Sequence, residues 1–158
     1  IVAYLRSLAE SKRSVGADGD LARGRAVFLG KGACSTCHRV HGEGSRLGPD
    51  LSRIGGLRRA AELEQSVLDP QREVLPTNRF YRVITRDGAS VTGRLLNHDT
   101  FIVQLLDSDE RLRSFVKSEV REHGFADPPM PSYRDKLDAQ EVADVVSYLV
   151  SLKGRTAP

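Results

Sequence analysis

Apolar side chains recur every three or four residues in four stretches of this chain, and that spacing predicts amphipathic helices. One predicted helix begins after Asp20, a favourable N-cap residue, and carries Gly24 on its apolar face. Because glycine inside a helix costs about 1 kcal/mol relative to alanine, Gly24 indicates the close approach of another helix. The four predicted helices comprise residues 1–10, a segment from residue 21, residues 57–68, and a segment from residue 138 that Gly154 ends.

The middle of the chain, from about residue 79 to residue 122, follows a different pattern in which β-branched and aromatic residues predict strands. Asp87-Gly88 is a strong signal for a two-residue hairpin turn. We therefore expect a small antiparallel sheet or barrel, similar to SH3 or Sm folds, inserted into a mainly helical domain. The predicted strands are Phe80–Arg86, Ala89–Leu96, Phe101–Leu106 and Arg111–Lys117.

The first eight residues resemble residues 145–152, with identical residues at five of the eight positions. One interpretation is that residues 1–19 are a helix and linker that end a preceding, similar domain, and that residues 20–158 form the main domain. The other is that two amphipathic helices share common residue types. If residues 1–10 are such a remnant, their apolar face has lost its original partner and must cover another surface, such as a second copy of the chain.

The composition is that of a soluble globular protein, with 39% hydrophobic and 28% charged residues. No uncharged apolar run approaches the roughly 18 residues that a membrane span needs. The net charge of +3 is uneven, because residues 21–59 contain eight Lys or Arg against two acidic residues. This basic segment is either a solvated face or a rim that attracts anionic groups and steers an acidic partner. No aromatic residues interleave with the charges, so nucleic acid is not expected.

The segment Cys34-Ser-Thr-Cys37-His38 is the attachment signature of a c-type haem. Two thiols separated by two residues can each reach one vinyl group of the same porphyrin. The next residue, His38, then directs its imidazole at the iron as a proximal ligand.

Two other interpretations of this segment are open. A tetrahedral zinc site needs four ligands, and the chain has only two cysteines, so the fourth would come from His41, His98 or His123. A thioredoxin-like dithiol needs a βαβ setting, which the sequence does not predict.

Met130 is the only methionine and the expected sixth ligand of such a haem. Pro129 and Pro131 flank it and restrict the backbone, which would hold a weakly bonding thioether in place. A lone methionine is also a common filler of core gaps. His123 is the rival ligand, because it precedes the same proline-rich loop.

These motifs together resemble the class I cytochrome c family over about residues 20–69 and 128–153. The resemblance implies that Gly24 and Phe28 pack against the last helix near Tyr148. It also implies that Pro49 lies beside His38, whose ring N–H donates to a nearby backbone carbonyl. The matching segments, in family order, are Leu21–Phe28, Cys34–His38, Leu47–Leu51, Met130-Pro131 and the last helix.

The distance from Cys37 to Met130 exceeds that of a minimal class I cytochrome, and the β-rich segment accounts for the excess. In this respect the chain resembles haem-binding domains appended to large bacterial dehydrogenases, including quinoprotein types. We thus expect one covalently attached haem c that transfers electrons, with a redox protein or a fused dehydrogenase domain as partner. Haem maturation of this type places the domain in the bacterial periplasm or at the outer cell surface.

Two alternatives concern the iron. In a redox or gas sensor the bond from Met130 to the iron would be labile. In a peroxidase-like enzyme the sixth coordination position of the iron would be open. The sequence contains no Ser-His-Asp arrangement, phosphate loop or spaced carboxylate pair, so an enzyme is not predicted.

Overall fold

The computed structural model describes residues 19–154. Helices from the two ends of this region pack together, and an antiparallel sheet lies between them in the chain. The predicted helix over residues 1–10 lies outside the described residues. The elements, in chain order, are α1 (Leu21–Leu29), β1 (Arg39–Val40), β2 (Glu43–Gly44), α2 (Ile54–Leu57), α3 (Ala60–Leu68), β3 (Phe80–Ile84), β4 (Ser90–His98), β5 (Ile102–Asp107), β6 (Leu112–Val116), β7 (Glu122–Ala126) and α4 (Ala139–Ser151).

Helices α1 and α4 cross in close contact at Gly24. A Cβ atom at this position would lie 2.0 Å from the Asp144 carbonyl oxygen and 2.9 Å from the Tyr148 Cβ. One turn further along α1, the rings of Phe28 and Tyr148 meet edge to face with centroids 5.4 Å apart. The close approach that a helical glycine predicts is therefore present, and it occurs at α4.

Asp144 stabilises the crossing of α1 and α4 through an ion pair and hydrogen bonds, and its side chain is buried. Its carboxylate accepts hydrogen bonds from the Arg23 Nε at 2.7 Å and from the Asp20 backbone N–H at 2.7 Å. The Arg23 hydrogen bond is the main reason that the pKa of Asp144 lies well below its usual range. The start of α1 is thus bound to the middle of α4.

The predicted helix over residues 57–68 is wrong at its start, because the structure has two helices there. Arg58 has an extended backbone and ends α2. The Glu62 carboxylate accepts the backbone N–H of Arg59 at 2.7 Å, which begins a new helix, α3. Leu63 and Val67 of α3 are buried in the main hydrophobic core together with α1 and α4.

The inserted segment forms a five-stranded antiparallel sheet with the order β6-β5-β4-β3-β7. Its fifth strand, β7, lies beyond the predicted end of the insertion near residue 122 and pairs with β3. Among the described residues no pairing joins β6 to β7, so the expected SH3- or Sm-like barrel is not established. One face of the sheet has its own small core of Tyr81, Val83, Val103 and Leu105.

The insertion begins and ends at the same place, because Phe80 pairs directly with Ala126. Its β5–β6 turn also reaches back to the loop after β2. There the Glu110 carboxylate accepts hydrogen bonds from both the backbone N–H and the Nε of Arg46, each at 2.9 Å. The Arg46 side chain holds the pKa of Glu110 at about 2. This stabilisation is complete at neutral pH and is lost only as pH falls from about 4.5 towards about 2.

No helix in the described part of the chain is long and apolar enough to cross a bilayer.

Replacing a helical glycine by alanine should destabilise the protein at the α1–α4 contact and not at an open position in α2. Gly24→Ala should lower the free energy of unfolding by about 2 kcal/mol, because the new methyl group collides with the backbone of α4. Gly56→Ala in α2 meets nothing within 4 Å and should be neutral or stabilise by up to about 1 kcal/mol. Urea unfolding of both variants measures the difference, and equal effects would contradict the close contact.

Candidate haem attachment site

The Cys34–His38 segment forms a tight turn directly after α1. Cys34–Thr36 is a single turn of 3₁₀-helix, and the backbone N–H of His38 donates to the Cys34 carbonyl at 2.9 Å. Both thiols are free and half-buried, so they are available for other bonds. Burial raises the pKa of the Cys34 thiol.

The His38 ring is oriented by the loop that follows β2. Its Nδ1 lies 2.9 Å from the carbonyl oxygen of Pro49, which can only accept, so Nδ1 carries the proton. The other ring nitrogen, Nε2, is left with its lone pair. Burial lowers the pKa of His38, which favours the neutral imidazole that a metal requires.

Gly48 allows this loop to lie against the imidazole. A Cβ atom at Gly48 would be 2.8 Å from the His38 Nδ1 and 3.0 Å from the Cys37 carbonyl oxygen. The Gly48 backbone N–H donates to that same Cys37 carbonyl at 2.6 Å. Loop and turn therefore form one hydrogen-bonded unit around the ring.

Met130 lies in an extended loop between β7 and α4, and this loop is attached to the end of α3. The Gln71 side chain donates to the Pro128 carbonyl at 2.8 Å, before the methionine. After it, the Ser132 hydroxyl donates to the Leu68 carbonyl at 2.7 Å. Met130 is half-buried and packs against the main hydrophobic core, as does Cys34. Bonds on both sides of Met130 thus restrict its position.

Tyr133 connects the methionine loop to the cysteine turn, and the sequence analysis did not identify it. Its buried hydroxyl donates to the Gly32 carbonyl at 2.5 Å, two residues before Cys34. Burial raises the pKa of Tyr133 to about 12, so the hydroxyl stays protonated and remains a donor. The only sequence signal is an aromatic residue three positions after Met130.

Among the described residues, the other histidines do not join Cys34, Cys37 and His38 in a metal-binding group. The rival ligand His123 is on β7, where its Nδ1 is 2.7 Å from the Tyr81 hydroxyl. His98 ends β4 and also lies near that hydroxyl, at 3.3 Å, and near the Lys117 amine. His41 is exposed, and its backbone N–H donates to the Ser52 hydroxyl.

These positions distinguish between the possible cofactors. Within residues 19–154 no group of three or more His, Cys, Asp or Glu side chains could hold a metal ion, so the zinc interpretation lacks its ligands. The residues fit a covalently attached haem instead. Two free thiols, an imidazole with a free Nε2, and a thioether on the same apolar core as Cys34 are all present.

A cleft of about 340 Å³ between α3 and α4 is separate from this set. Leu68, Leu137, Val142 and Val146 line it, and neither the thiols nor His38 nor Met130 does.

The basic charge around the turn is largely neutralised within the molecule. Five of the eight basic residues in the 21–59 segment form ion pairs, which leaves less positive charge to attract an acidic partner than the sequence suggests. The pairs are Arg23–Asp144, Lys31–Glu141, Arg46–Glu110, Arg58–Glu73 and Arg59–Glu62.

Comparison with known proteins agrees with the chemistry of the turn. The family model described as Cytochrome c matches residues 21–99, which is half of the chain. The chain therefore belongs to the cytochrome c family, and its cofactor is a covalently bound haem c with iron. No curated protein matches the chain. The matched region contains the cysteine turn and ends before Met130.

Tyr133→Phe tests the connection between the two parts of the site. Removing the hydroxyl leaves the Gly32 carbonyl without its donor, and the free energy of unfolding should fall by about 1 kcal/mol. Tyr148→Phe is the matched control, because its hydroxyl makes no hydrogen bond to a described residue. Denaturant unfolding monitored by haem absorbance compares the two, and equal losses would contradict the role of Tyr133.

Proposed function

We propose that this domain transfers electrons through a low-spin haem attached at Cys34 and Cys37, with His38 and Met130 as axial ligands. Haem-based electron transfer follows from family membership, and the residue assignments are the proposal. The observation that carries it is the packing of Met130 and Cys34 against one hydrophobic core, with Tyr133 bridging their loops.

His38 would serve as the proximal ligand because its geometry is set before any metal binds. The Pro49 carbonyl fixes the tautomer and the ring orientation, and it raises the basicity of Nε2. Gly48 prevents a side chain from displacing the ring. Little rearrangement is then needed when the oxidation state changes.

Met130 would serve as the second ligand, since prolines and hydrogen bonds on both sides restrict the position of its sulfur. A thioether ligand favours the reduced state relative to a second imidazole. The bound haem supplies the one-electron chemistry, and the protein supplies ligands, burial and orientation. We accordingly propose that the domain has no catalytic activity of its own.

The wider context is also part of the proposal. The long insertion between Cys37 and Met130 supports a module of a larger redox protein that receives electrons from a dehydrogenase. The strand order, with β3 between β4 and β7, and a 3₁₀ turn before the last strand support an SH3-like relationship for the insertion. Cytochrome c domains are commonly extracytoplasmic, and we propose the bacterial periplasm or outer surface.

Met130→Ala separates electron transfer from the sensor and peroxidase-like alternatives. The ferric wild-type protein should show the thioether-to-iron charge-transfer band, and the variant should lose it and become high-spin. The reduced variant should bind carbon monoxide rapidly, whereas the wild type should not. His123→Ala is the control and should leave the spectrum unchanged, because His123 contacts Tyr81.

Two results would reject the ligand assignment. One is an unchanged spectrum in Met130→Ala. The other is a wild-type protein that is already high-spin or binds carbon monoxide rapidly, which would favour the sensor or peroxidase-like function.

A further inference from the structure

Two histidines of the insertion face one buried hydroxyl group. Tyr81 on β3 is 2% exposed. Its hydroxyl lies 2.7 Å from the Nδ1 of His123 on β7 and 3.3 Å from the Nε2 of His98 at the end of β4. The two ring nitrogens can therefore be no farther apart than these two distances together. Both histidines are exposed, so solvent and ions can reach the pair.

Each of these two nitrogens presents a lone pair and not a proton. The ammonium of Lys117 lies 3.1 Å from the Nε2 of His98 and can only donate, so this nitrogen accepts. The Tyr81 hydroxyl has a single proton, and the shorter of its two contacts, to the Nδ1 of His123, receives it. Burial raises the pKa of Tyr81, so the hydroxyl keeps this proton at neutral pH. Two unprotonated imidazole nitrogens thus converge on one place.

A carboxylate beside the pair compensates positive charge at this position. The backbone N–H groups of Ile102 and Phe101 lower the pKa of Asp99, and the charges of Lys117 and His98 lower it further. The Lys117 amine donates to the Asp99 carbonyl as well as to His98. A metal ion at the Nε2 of His98 would replace this ammonium, so one cation is exchanged for another beside the same carboxylate.

We propose that the insertion binds a divalent copper ion through the Nε2 of His98 and the Nδ1 of His123, with Tyr81 as a positioning residue. Imidazole suits copper, and Cu²⁺ binds such nitrogen sites more tightly than the other divalent first-row ions do. No third His, Cys, Asp or Glu joins the pair within residues 19–154. Water therefore completes the coordination, and the ion is exchangeable. The site uses none of the residues proposed to hold the haem.

Titration of the haem-loaded ferric protein with copper chloride tests this proposal. Haem attachment consumes both thiols, and ferric haem has no electron to give to Cu²⁺. The titration is done at about pH 7.5, above the ordinary pKa of histidine. The electron paramagnetic resonance spectrum of the first equivalent of Cu²⁺ should show coupling to two imidazole nitrogens.

Three substitutions locate the site. His98→Ala and His123→Ala should each weaken Cu²⁺ binding by about tenfold or more, since even the loss of a group that only orients a ligand costs about that factor. Lys117→Met should strengthen binding, because the ammonium that competes for the Nε2 of His98 is removed. His41→Ala is the matched control and should bind like wild type, because His41 is exposed and bonds to Ser52 only through its backbone N–H.

A wild-type copper spectrum without coupling to imidazole nitrogen would overturn the proposal, even if a histidine variant fails to fold. Equal affinities for wild type, His98→Ala and His123→Ala would overturn it too, as would a loss of binding confined to His41→Ala. The haem ligands are assigned from haem spectra and this site from the copper signal, so failure of one assignment is distinguishable from failure of the other.

Discussion

The close crossing of α1 and α4 is the constraint on which the site depends. Helix α1 leads into the cysteine turn, and α4 follows the methionine loop. The contact at Gly24 and the bonds of the buried Asp144 therefore hold together α1 and α4, which are more than 100 residues apart in sequence. Once this contact forms, Tyr133 can reach the Gly32 carbonyl beside the turn. Dense packing at the crossing of α1 and α4 offsets the chain entropy that is lost when these distant segments come together.

This arrangement explains how the domain accommodates a large insertion. Because Phe80 pairs with Ala126, the inserted chain leaves and returns at neighbouring points. The sheet has its own small core, and its turn is bound to the loop after β2 by the Glu110–Arg46 pair. The domain thus accommodates the insertion without displacing the helices that define the site.

The basic segment over residues 21–59 carries less unpaired positive charge in the folded protein than its count of Lys and Arg suggests. This segment forms ion pairs with acidic residues from α3, the loop after α3, α4 and the insertion. Within this segment Arg25, Arg39 and Arg53 form no ion pair with a described residue. Attraction for anionic groups therefore depends on which charges remain unpaired after folding, and sequence position alone does not report that.

The sequence by itself determined the features that depend on neighbouring residues. The spacing of Cys34, Cys37 and His38 specified the cofactor, because attachment to one porphyrin is local chemistry. Caps and turn residues specified the start of α1 and α4 and the β3–β4 hairpin for the same reason.

Only the tertiary structure decided the features that depend on contacts between distant segments. Glu62 divides a predicted single helix by capping α3, and β7 forms because β3 offers it an unpaired edge. The Tyr133 hydroxyl bonds to Gly32, and Asp144 bonds to Asp20 and Arg23, in each case more than 100 residues away, so no local sequence pattern predicts these bonds. Hydrogen bonds and ion pairs over such separations exist only after the helices have packed, and packing depends on the shape of the whole core.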